Sequence, residues 1–194
     1  MYARYIKRVL DIILSALGMI ALSPFMLLIA LAVWAENHSS PIFTQKRFGR
    51  DRKMIYIRKF KTMRDDAPHD VPTDQMENPE KYVTKIGYFL RLTSLDELPQ
   101  LWNIVKGDMS VIGPRPALWN QYHLMDERDK VGANRLRPGL SGLAQINGRD
   151  MLSDEEKAAY DGEYARNVSL WMDIKCLSGT FFKVLRHEGV KKER

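Results

Sequence analysis

Cysteine and histidine are scarce in this chain, and their scarcity limits the kinds of site it can hold. Cys176 is the only cysteine, so no disulfide can form within the chain, and a lone thiol fits a reducing compartment. The histidines His38, His69, His123 and His187 are scattered and lack the close spacing of zinc ligands. Internal repeats and low-complexity tracts are also missing. We therefore expect neither a disulfide scaffold nor a zinc site.

Negative charge is in the minority. The 194 residues include 30 Lys and Arg against 24 Asp and Glu, which gives a net charge of +6 and a pI near 9.4. This excess favours an anionic partner, such as nucleic acid, an anionic membrane face or a phosphorylated substrate. No DNA- or RNA-binding motif accompanies the charge, so nucleic acid is not the expected partner. The length suits about one domain with a core of its own.

Charged residues are absent from Ile12 to Ala35, where nearly every side chain is apolar. A helix of this length, at about 1.5 Å per residue, can cross a hydrocarbon core about 30 Å thick. The run is too long for the apolar part of a signal peptide and has no matching cleavage site. A single membrane-spanning helix is the plain interpretation.

Two features favour a helix that enters the membrane and returns to the same side. Pro24 lacks an N–H and crowds the carbonyl of Ile20, so we expect a kink there, with the Ser23 hydroxyl bonding a freed carbonyl. Basic residues also flank the run on both sides, and such residues prefer the cytoplasmic face. They are Arg4, Lys7 and Arg8 before the run, and Lys46, Arg47, Arg50, Arg52 and Lys53 after it. These residues alone leave both topologies open.

The remaining pattern predicts a mainly helical α+β fold with one small β-hairpin. The hairpin covers Ile42 to Met63, with a turn at Gly49 to Lys53. Helices are predicted over Pro79–Leu92, Asp96–Val105, Ala117–Val131 and Ser153–Arg166, with a glycine-bearing loop at Arg137–Gly142. From Leu170 onward, Trp171, Ile174, Leu177, Phe181, Phe182 and Leu185 recur at helical spacing. That last helix can lie on a membrane surface or pack on the core.

Two adjacent carboxylates, Asp96 and Glu97, stand at a predicted helix start. Ser94 and Glu97 fit a capping box, in which the serine caps the helix and the glutamate reaches back to it. A structural role is therefore the simple interpretation of the local sequence. The alternative is chemical, because Arg115 follows between two prolines, and phosphoryl transfer needs carboxylates beside fixed cations.

The ordered motifs of nearly the whole chain resemble the monotopic phosphoglycosyl transferases of bacteria, also called bacterial sugar transferases. The motifs that carry the resemblance are Lys7-Arg8, Asp11, Ser23-Pro24, Phe43-Thr44-Gln45-Lys46-Arg47, Gly49, Lys59-Phe60-Lys61-Thr62-Met63, Ser94-Leu95-Asp96-Glu97-Leu98-Pro99-Gln100, Gly107-Asp108-Met109-Ser110, Gly113-Pro114-Arg115-Pro116, Arg137-Pro138-Gly139, Gly142, Ala144-Gln145 and Asn147-Gly148-Arg149. The length is similar to the small form that initiates protein N-glycosylation in campylobacters.

The resemblance implies transfer of a phospho-sugar from a UDP-sugar to polyprenol (undecaprenyl) phosphate, with release of UMP. It implies a re-entrant helix over residues 1–36 and a cytosolic, membrane-surface catalytic domain over 37–194, with amphipathic helices at the interface. The expected location is the cytoplasmic face of the bacterial inner membrane, in contact with membrane lipid. A membrane-embedded homodimer is compatible with the resemblance.

By the same resemblance, Asp96 is the nucleophile that forms an aspartyl phospho-sugar. Glu97 either places magnesium or deprotonates the incoming polyprenol phosphate. Both carboxylates are expected to hold Mg²⁺, a hard cation that takes carboxylate and phosphate oxygens. The residues expected to bind the substrates are Arg115, Lys59, Lys61, Arg91, Arg137 and Arg149. We expect a helix N-terminus at Asp96 to hold its carboxylate ionised.

Gly142-Leu143-Ala144-Gln145 departs from the family's usual Gly-Trp-Ala-Gln. The missing indole removes a side chain that could touch substrate, without removing the phosphoryl chemistry. Two other hypotheses stay open: direct displacement with Asp96 serving as a metal ligand only, and a non-catalytic adaptor whose basic surface binds anionic lipid. The sequence does not distinguish among a UDP-linked N-acetyl amino sugar, a diacetamido-trideoxy sugar and galactose, although analogy favours an N-acetylated amino sugar.

Overall fold

The computed structural model describes residues 1–68, 71, 76, 78–148 and 151–185. Within these ranges it is mostly helical, with two small two-stranded sheets. The helices are α1 (Lys7–Asn37), α2 (Lys85–Thr93), α3 (Gln100–Lys106), α4 (Tyr122–Lys130), α5 (Leu143–Asn147), α6 (Asp154–Arg166) and α7 (Leu170–Leu185). The strands are β1 (Ile42–Phe48), β2 (Met54–Phe60), β3 (Ser110–Ile112) and β4 (Gly139–Ser141). The predicted mainly helical α+β class is confirmed.

Helix α1 contains the apolar run and follows a π-helical turn at Tyr2–Ile6. It is long and apolar enough to cross a membrane. The Ser23 hydroxyl donates a 2.8 Å hydrogen bond to the carbonyl of Ile20, the group that Pro24 cannot serve. The hydroxyl therefore satisfies the carbonyl as the sequence predicted. The helix ends at Asn37, where His38 adopts a left-handed conformation with φ 52°.

The start of α1 is fixed to the folded domain by polar contacts. Arg8 donates hydrogen bonds to the carbonyl of Ile104 at 2.7 Å and to that of Val105 at 3.1 Å, at the end of α3. The buried carboxylate of Asp11 accepts from the hydroxyl of Ser110 at 2.7 Å. These contacts place the first turns of α1 beside α3 and β3.

The far end of α1 contacts the same domain. The Glu36 carboxylate accepts from the backbone N–H groups of Lys85 and Ile86, at 3.0 and 3.2 Å, where α2 begins. Ile29 and Val33 are buried in a small core. Residues 20–25 are all exposed, which is more than one full helical turn without a protected face. The two arms of α1 thus pack on the domain, whereas its middle does not.

The predicted β-hairpin is present, with β1 and β2 antiparallel and Ile42 opposite Phe60. Its inner face packs on α3. Asn103, which is buried on α3, donates to the Tyr56 carbonyl at 2.7 Å and accepts from the Arg58 N–H at 3.1 Å. This amide therefore fixes α3, and the turn before it, to the middle of β2.

A second core joins β3 to α5, α6 and α7 through Ile112, Leu143, Tyr164 and Cys176. Strand β4 lies parallel to β3 within the predicted loop 137–142, so that prediction was wrong in part. The pairing requires glycine, because a Cβ on Gly139 would lie only 2.1 Å from the backbone nitrogen of Gly113.

Three predicted helices begin later than expected, and one of them is α3, which starts at Gln100 instead of Asp96. Residues 79–81 form an isolated 3₁₀ turn, and α2 starts only after Thr84, whose hydroxyl caps the N–H of Gly87 at 2.9 Å. The segment from Ala117 instead pairs with β1, since the Phe48 N–H bonds its carbonyl at 2.8 Å. Helices α6 and α7 match their predictions, and Ser153 forms a capping box with Glu156 at the start of α6.

Candidate active site

Asp96 and Glu97 lie in a 3₁₀ turn, Leu95–Glu97, between α2 and α3. The predicted capping box is wrong. Ser94 ends α2 in a left-handed conformation with φ 57°, and its side chain makes no capping bond. Helix α3 starts at Gln100, after Pro99, so Asp96 is not in its first turn. The serine terminates one helix, and the glutamate side chain bonds residues outside the turn.

The Glu97 carboxylate points into a cluster of cations from distant parts of the chain. Lys59 Nζ, from β2, donates a 2.7 Å hydrogen bond to Glu97 Oε1 and lies 3.9 Å from Asp96 Oδ2. The guanidinium of Arg115 lies 3.4 Å from the same glutamate oxygen. The side chains of Lys59, Asp96 and Glu97 are each less than one-fifth exposed. Two carboxylates and two cations thus share one nearly buried site.

Burial shifts the pKa of both an acidic and a basic group in this cluster. It raises the pKa of Asp96 above its ordinary value, with Lys59 opposing the shift as the nearest cation. Burial likewise lowers the pKa of Lys59, against the pull of Glu97. This direction for Asp96 is opposite to the one expected from a helix N-terminus. A poorly solvated carboxylate is costly to keep charged, so it gains from bonding a cation or an electrophile.

The backbone of Arg115 is held in place by a residue of a buried ion pair. Arg128, on α4, donates to the Arg115 carbonyl at 3.0 Å and pairs with Asp161 of α6 at 2.7 Å. Both partners of that pair are almost wholly buried. With Pro114 and Pro116 on either side, the arginine loop is pre-ordered. Sequence reasoning missed Arg128 and Asp161, because nothing in their local pattern shows that they meet.

Two further candidate cations, Arg91 and Lys61, have different partners. Arg91, in the last turn of α2, donates to the Thr62 hydroxyl at 3.0 Å, and its charge lowers the pKa of Asp96. It belongs to the site. Lys61 instead bonds the Ser39 hydroxyl at 3.0 Å and the Asp65 carboxylate at 2.5 Å. These partners direct its ammonium group away from the carboxylate pair.

Arg137 lies elsewhere, and Arg149 is outside the described residues. The Nε of Arg137 donates to the Gly107 carbonyl at 2.9 Å, beyond the C-terminal end of α3. Asp96 precedes the opposite end of that helix. The structure therefore brings together Asp96, Glu97, Lys59, Arg91 and Arg115, whereas Arg137 and Lys61 bond other groups.

The carboxylate pair suits a hard cation only with help from substrate. No group of three or more His, Cys, Asp or Glu residues that could hold a metal occurs in the part of the chain that the structure describes. Magnesium is commonly held by one or two carboxylates together with phosphate oxygens and water. Asp96 and Glu97 supply the two carboxylates of such a donor set, and the adjacent cations suit the phosphates. The cluster can bind a diphosphate and present a carboxylate to it.

The chain belongs to the bacterial sugar transferase family, whose model matches residues 2–187. A relative in Escherichia coli K12, UDP-glucose:undecaprenyl-phosphate glucose-1-phosphate transferase, is 42% identical over 93% of this chain and 40% of its own length. The UDP-galactose-lipid carrier transferase of Erwinia amylovora is 34% identical over 96% of this chain and 42% of its own length. In Bacillus subtilis 168, the uncharacterized sugar transferase EpsL is 36% identical, over 96% of this chain and 91% of its own length.

The chain therefore spans about 40% of the length of the first two relatives. Their names concern proteins that contain additional sequence. The shared segment includes the motifs that form the carboxylate and cation cluster, because the matches cover nearly all of this chain.

Proposed function

We propose that this protein transfers a sugar 1-phosphate from a UDP-sugar to undecaprenyl phosphate, with release of UMP. The observation that carries the proposal is the nearly buried pair Asp96 and Glu97 beside Lys59, Arg91 and Arg115. Such a site combines a nucleophile with fixed positive charge for phosphoryl oxygens. The names of the relatives supply the donor and acceptor classes.

Asp96 is the nucleophile in this scheme. One of its carboxylate oxygens attacks the β-phosphorus of the UDP-sugar, and the bond from that phosphorus to the bridging oxygen breaks, so UMP leaves with the electron pair. An oxygen of undecaprenyl phosphate then attacks the aspartyl phosphorus. The phosphorus–aspartate bond breaks, the carboxylate is regenerated, and the lipid diphosphate-sugar is formed.

The cations together neutralise the negative charge of the diphosphate. Arg115 has a planar fork that matches phosphate oxygens, and its backbone is held by Arg128. Lys59 balances Glu97 and also lowers the pKa of Asp96. Mg²⁺, held by Asp96 and Glu97, would supply further charge neutralisation during transfer. Glu97 either places that ion or accepts the proton of the incoming acceptor.

We infer that α1 is a re-entrant membrane helix with its turning point at Ser23-Pro24. Arg8 and Glu36, near the two ends of α1, both bond the same domain. A straight membrane-spanning helix would place its two ends on opposite faces of the membrane, where they could not both contact one domain. Residues 20–25, between the arms, are all exposed. The flanking basic residues then stay on the cytoplasmic face of the inner membrane.

Helix α7 supports the same placement at the membrane surface. Trp171, Phe181 and Phe182 are 76%, 62% and 57% exposed, whereas Asp173 and Cys176 on the other face are buried. Core packing therefore does not explain the apolar stripe of this helix. An apolar face flanked by Lys175 and Lys183 fits the interface of an anionic membrane.

A UDP-hexose is the proposed donor, because the names of two relatives specify glucose and galactose. The experiment is UMP release across a panel of UDP-glucose, UDP-galactose and UDP-N-acetylglucosamine, with and without undecaprenyl phosphate. We expect turnover with at least one donor, and a loss of about 10³-fold or more in Asp96→Asn. A non-catalytic adaptor would release no UMP from any donor, and robust turnover by Asp96→Asn would contradict the assignment of this site.

A further inference from the structure

A basic cavity of about 210 Å³ opens where the start of α1 meets the second half of the domain. Its lining includes six cationic side chains: Arg4, Lys7, Arg8, Arg50, Arg135 and Arg137. Asp11 is the one carboxylate among the described residues that line it. This concentration of positive charge is unconnected to the proposed transfer reaction.

The cavity is well separated from the carboxylate pair. Arg50 lies in the turn of the β-hairpin, whereas Lys59 is near the other end of β2. At about 3.3 Å per residue, the strand from Met54 to Lys59 spans roughly 17 Å. Arg137 likewise bonds a carbonyl beyond the C-terminal end of α3, and Asp96 precedes its N-terminal end. One small ion therefore cannot contact both places.

The positive charge of the cavity is only partly balanced by protein. Lys7 pairs with the Asp173 carboxylate at 2.7 Å and lies 3.9 Å from Asp11, whose carboxylate also accepts from the Ser110 hydroxyl at 2.7 Å. Among the described residues, four arginines of the cavity lining take part in no salt bridge, namely Arg4, Arg8, Arg135 and Arg137. Like charges held together favour an anion between them.

Two of the arginines are held in fixed positions. Arg8 spans the carbonyls of Ile104 and Val105, and Arg137 bonds that of Gly107 through Nε. These contacts fix the planes of both guanidinium groups, which meet around Gly107, and the Arg137 contact leaves its two terminal nitrogens for another acceptor. A pre-ordered guanidinium such as that of Arg137 matches the oxygens of a phosphate group.

We propose that this basic cavity is a second phosphate-binding site, which takes either the phosphodiester of an anionic membrane lipid or free phosphate. Its position suits a lipid headgroup. Ala3 and Arg4 line it just ahead of the apolar run, and Val168 lines it just ahead of the exposed Trp171. A phosphate bound there would tie the beginnings of α1 and α7 to the membrane surface.

The test is binding by the purified full chain in a non-ionic detergent. The probes are short-chain phosphatidylglycerol, short-chain phosphatidylcholine and inorganic phosphate, each titrated separately. The test variant is Arg4→Gln with Arg135→Gln, two exposed side chains outside the carboxylate cluster. The matched control is Arg64→Gln, an exposed arginine paired with Asp66 and remote from the cavity lining. Melting temperatures establish that each variant is folded.

We expect the double variant to bind, at least about tenfold more weakly, the anionic probe that the wild-type chain binds, and Arg64→Gln to bind that probe as the wild-type chain does. Arg4→Lys with Arg135→Lys keeps the charge and should retain most of the affinity, even if the glutamine variant loses stability. Tighter binding of phosphatidylglycerol than of phosphatidylcholine or phosphate identifies the lipid as the source, and binding of inorganic phosphate alone identifies the free ion.

Equal binding of both anionic probes by the wild-type chain and the folded double variant would overturn the proposal. So would retention of affinity by the glutamine variant together with its loss in Arg64→Gln. Asp96→Asn serves as the reciprocal control. It should abolish UMP release while leaving phosphate binding at the cavity unchanged, so the two sites can fail independently.

Discussion

The ammonium group of Lys59 bonds Glu97 at 2.7 Å but lies 3.9 Å from the carboxylate of its neighbour Asp96. The glutamate thus carries the hydrogen-bonded ion pair, and Asp96 experiences the same cation at longer range. This difference supports the proposed division of roles, in which Glu97 anchors the positive charge and Asp96 keeps an oxygen for phosphorus.

Replacing Lys59 should change the pH dependence of the reaction. Burial raises the pKa of Asp96, and Lys59 is the cation that most opposes this rise. Since only ionised Asp96 attacks phosphorus, the rate should increase with pH as that group loses its proton. Lys59→Met raises the pKa of Asp96 further, so the acid limb of the pH–rate profile should move to higher pH.

Arg58→Met is the matched control for that profile, because Arg58 is the next residue on β2 and lies 6.0 Å over the ring of Trp102. Its acid limb should coincide with that of the wild-type protein. A limb that stays in place in Lys59→Met, with only a lower plateau, would show that Lys59 acts on substrate alone.

Breaking the buried pair beneath Arg115 should destabilise the fold. Arg128→Met leaves the Asp161 carboxylate buried without its partner, at a cost of about 3 kcal/mol or more. For a chain of this size the melting temperature should fall by roughly 6–12 °C. Lys130→Met, on the same helix but exposed and paired with Glu127, should leave it nearly unchanged. Equal losses in both variants would contradict the assigned role of Arg128.

Chelation should stop the reaction if magnesium neutralises the diphosphate. We expect EDTA to abolish UMP release and added Mg²⁺ to restore it. Glu97→Gln should raise the Mg²⁺ concentration needed for half-maximal rate if Glu97 places the ion. An unchanged requirement with a slower transfer to lipid would instead assign Glu97 the role of base. Full activity in EDTA would contradict a metal at this site.

Local pattern was enough to predict the elements whose stability is local. The β-hairpin, the helix that begins at Ser153 and the helical spacing after Leu170 all matched the structure. Each depends on neighbours within a few residues. The mainly helical class followed from the same kind of evidence, whereas the carboxylate pair was assigned to the site only through the ordered motifs of the whole chain.

Long-range contacts account for the errors. The pattern from Ser94 to Glu97 fits a capping box, yet Glu97 bonds Lys59, which is 38 positions away. A buried ion pair outcompetes a surface cap, and the left-handed Ser94 ends the preceding helix. The guanidinium of Arg137, which was grouped with the site from its motif, bonds Gly107 at the other end of α3, and its role in substrate binding stays a prediction. Short-range sequence patterns cannot predict these pairings, because the partners are far apart in the chain.

The re-entrant topology can be tested by labelling from the outside of the cell. Cys176 is buried, and burial raises the pKa of its thiol to about 11, so it should react poorly. Single cysteines are introduced as Tyr5→Cys and Ser40→Cys, at exposed positions on either side of α1. An impermeant maleimide should label neither in intact spheroplasts and both after lysis. Labelling of either position in intact spheroplasts would indicate a membrane-spanning helix.

The nucleophilic role of Asp96 is tested most directly by mixing the enzyme with its best UDP-sugar and no lipid acceptor. The covalent route predicts release of about one UMP per enzyme molecule, after which release stops until undecaprenyl phosphate is added. Asp96→Asn should give no such burst. If no UMP appears before the acceptor is present, although turnover is normal afterwards, direct displacement is the mechanism and the aspartyl intermediate is wrong.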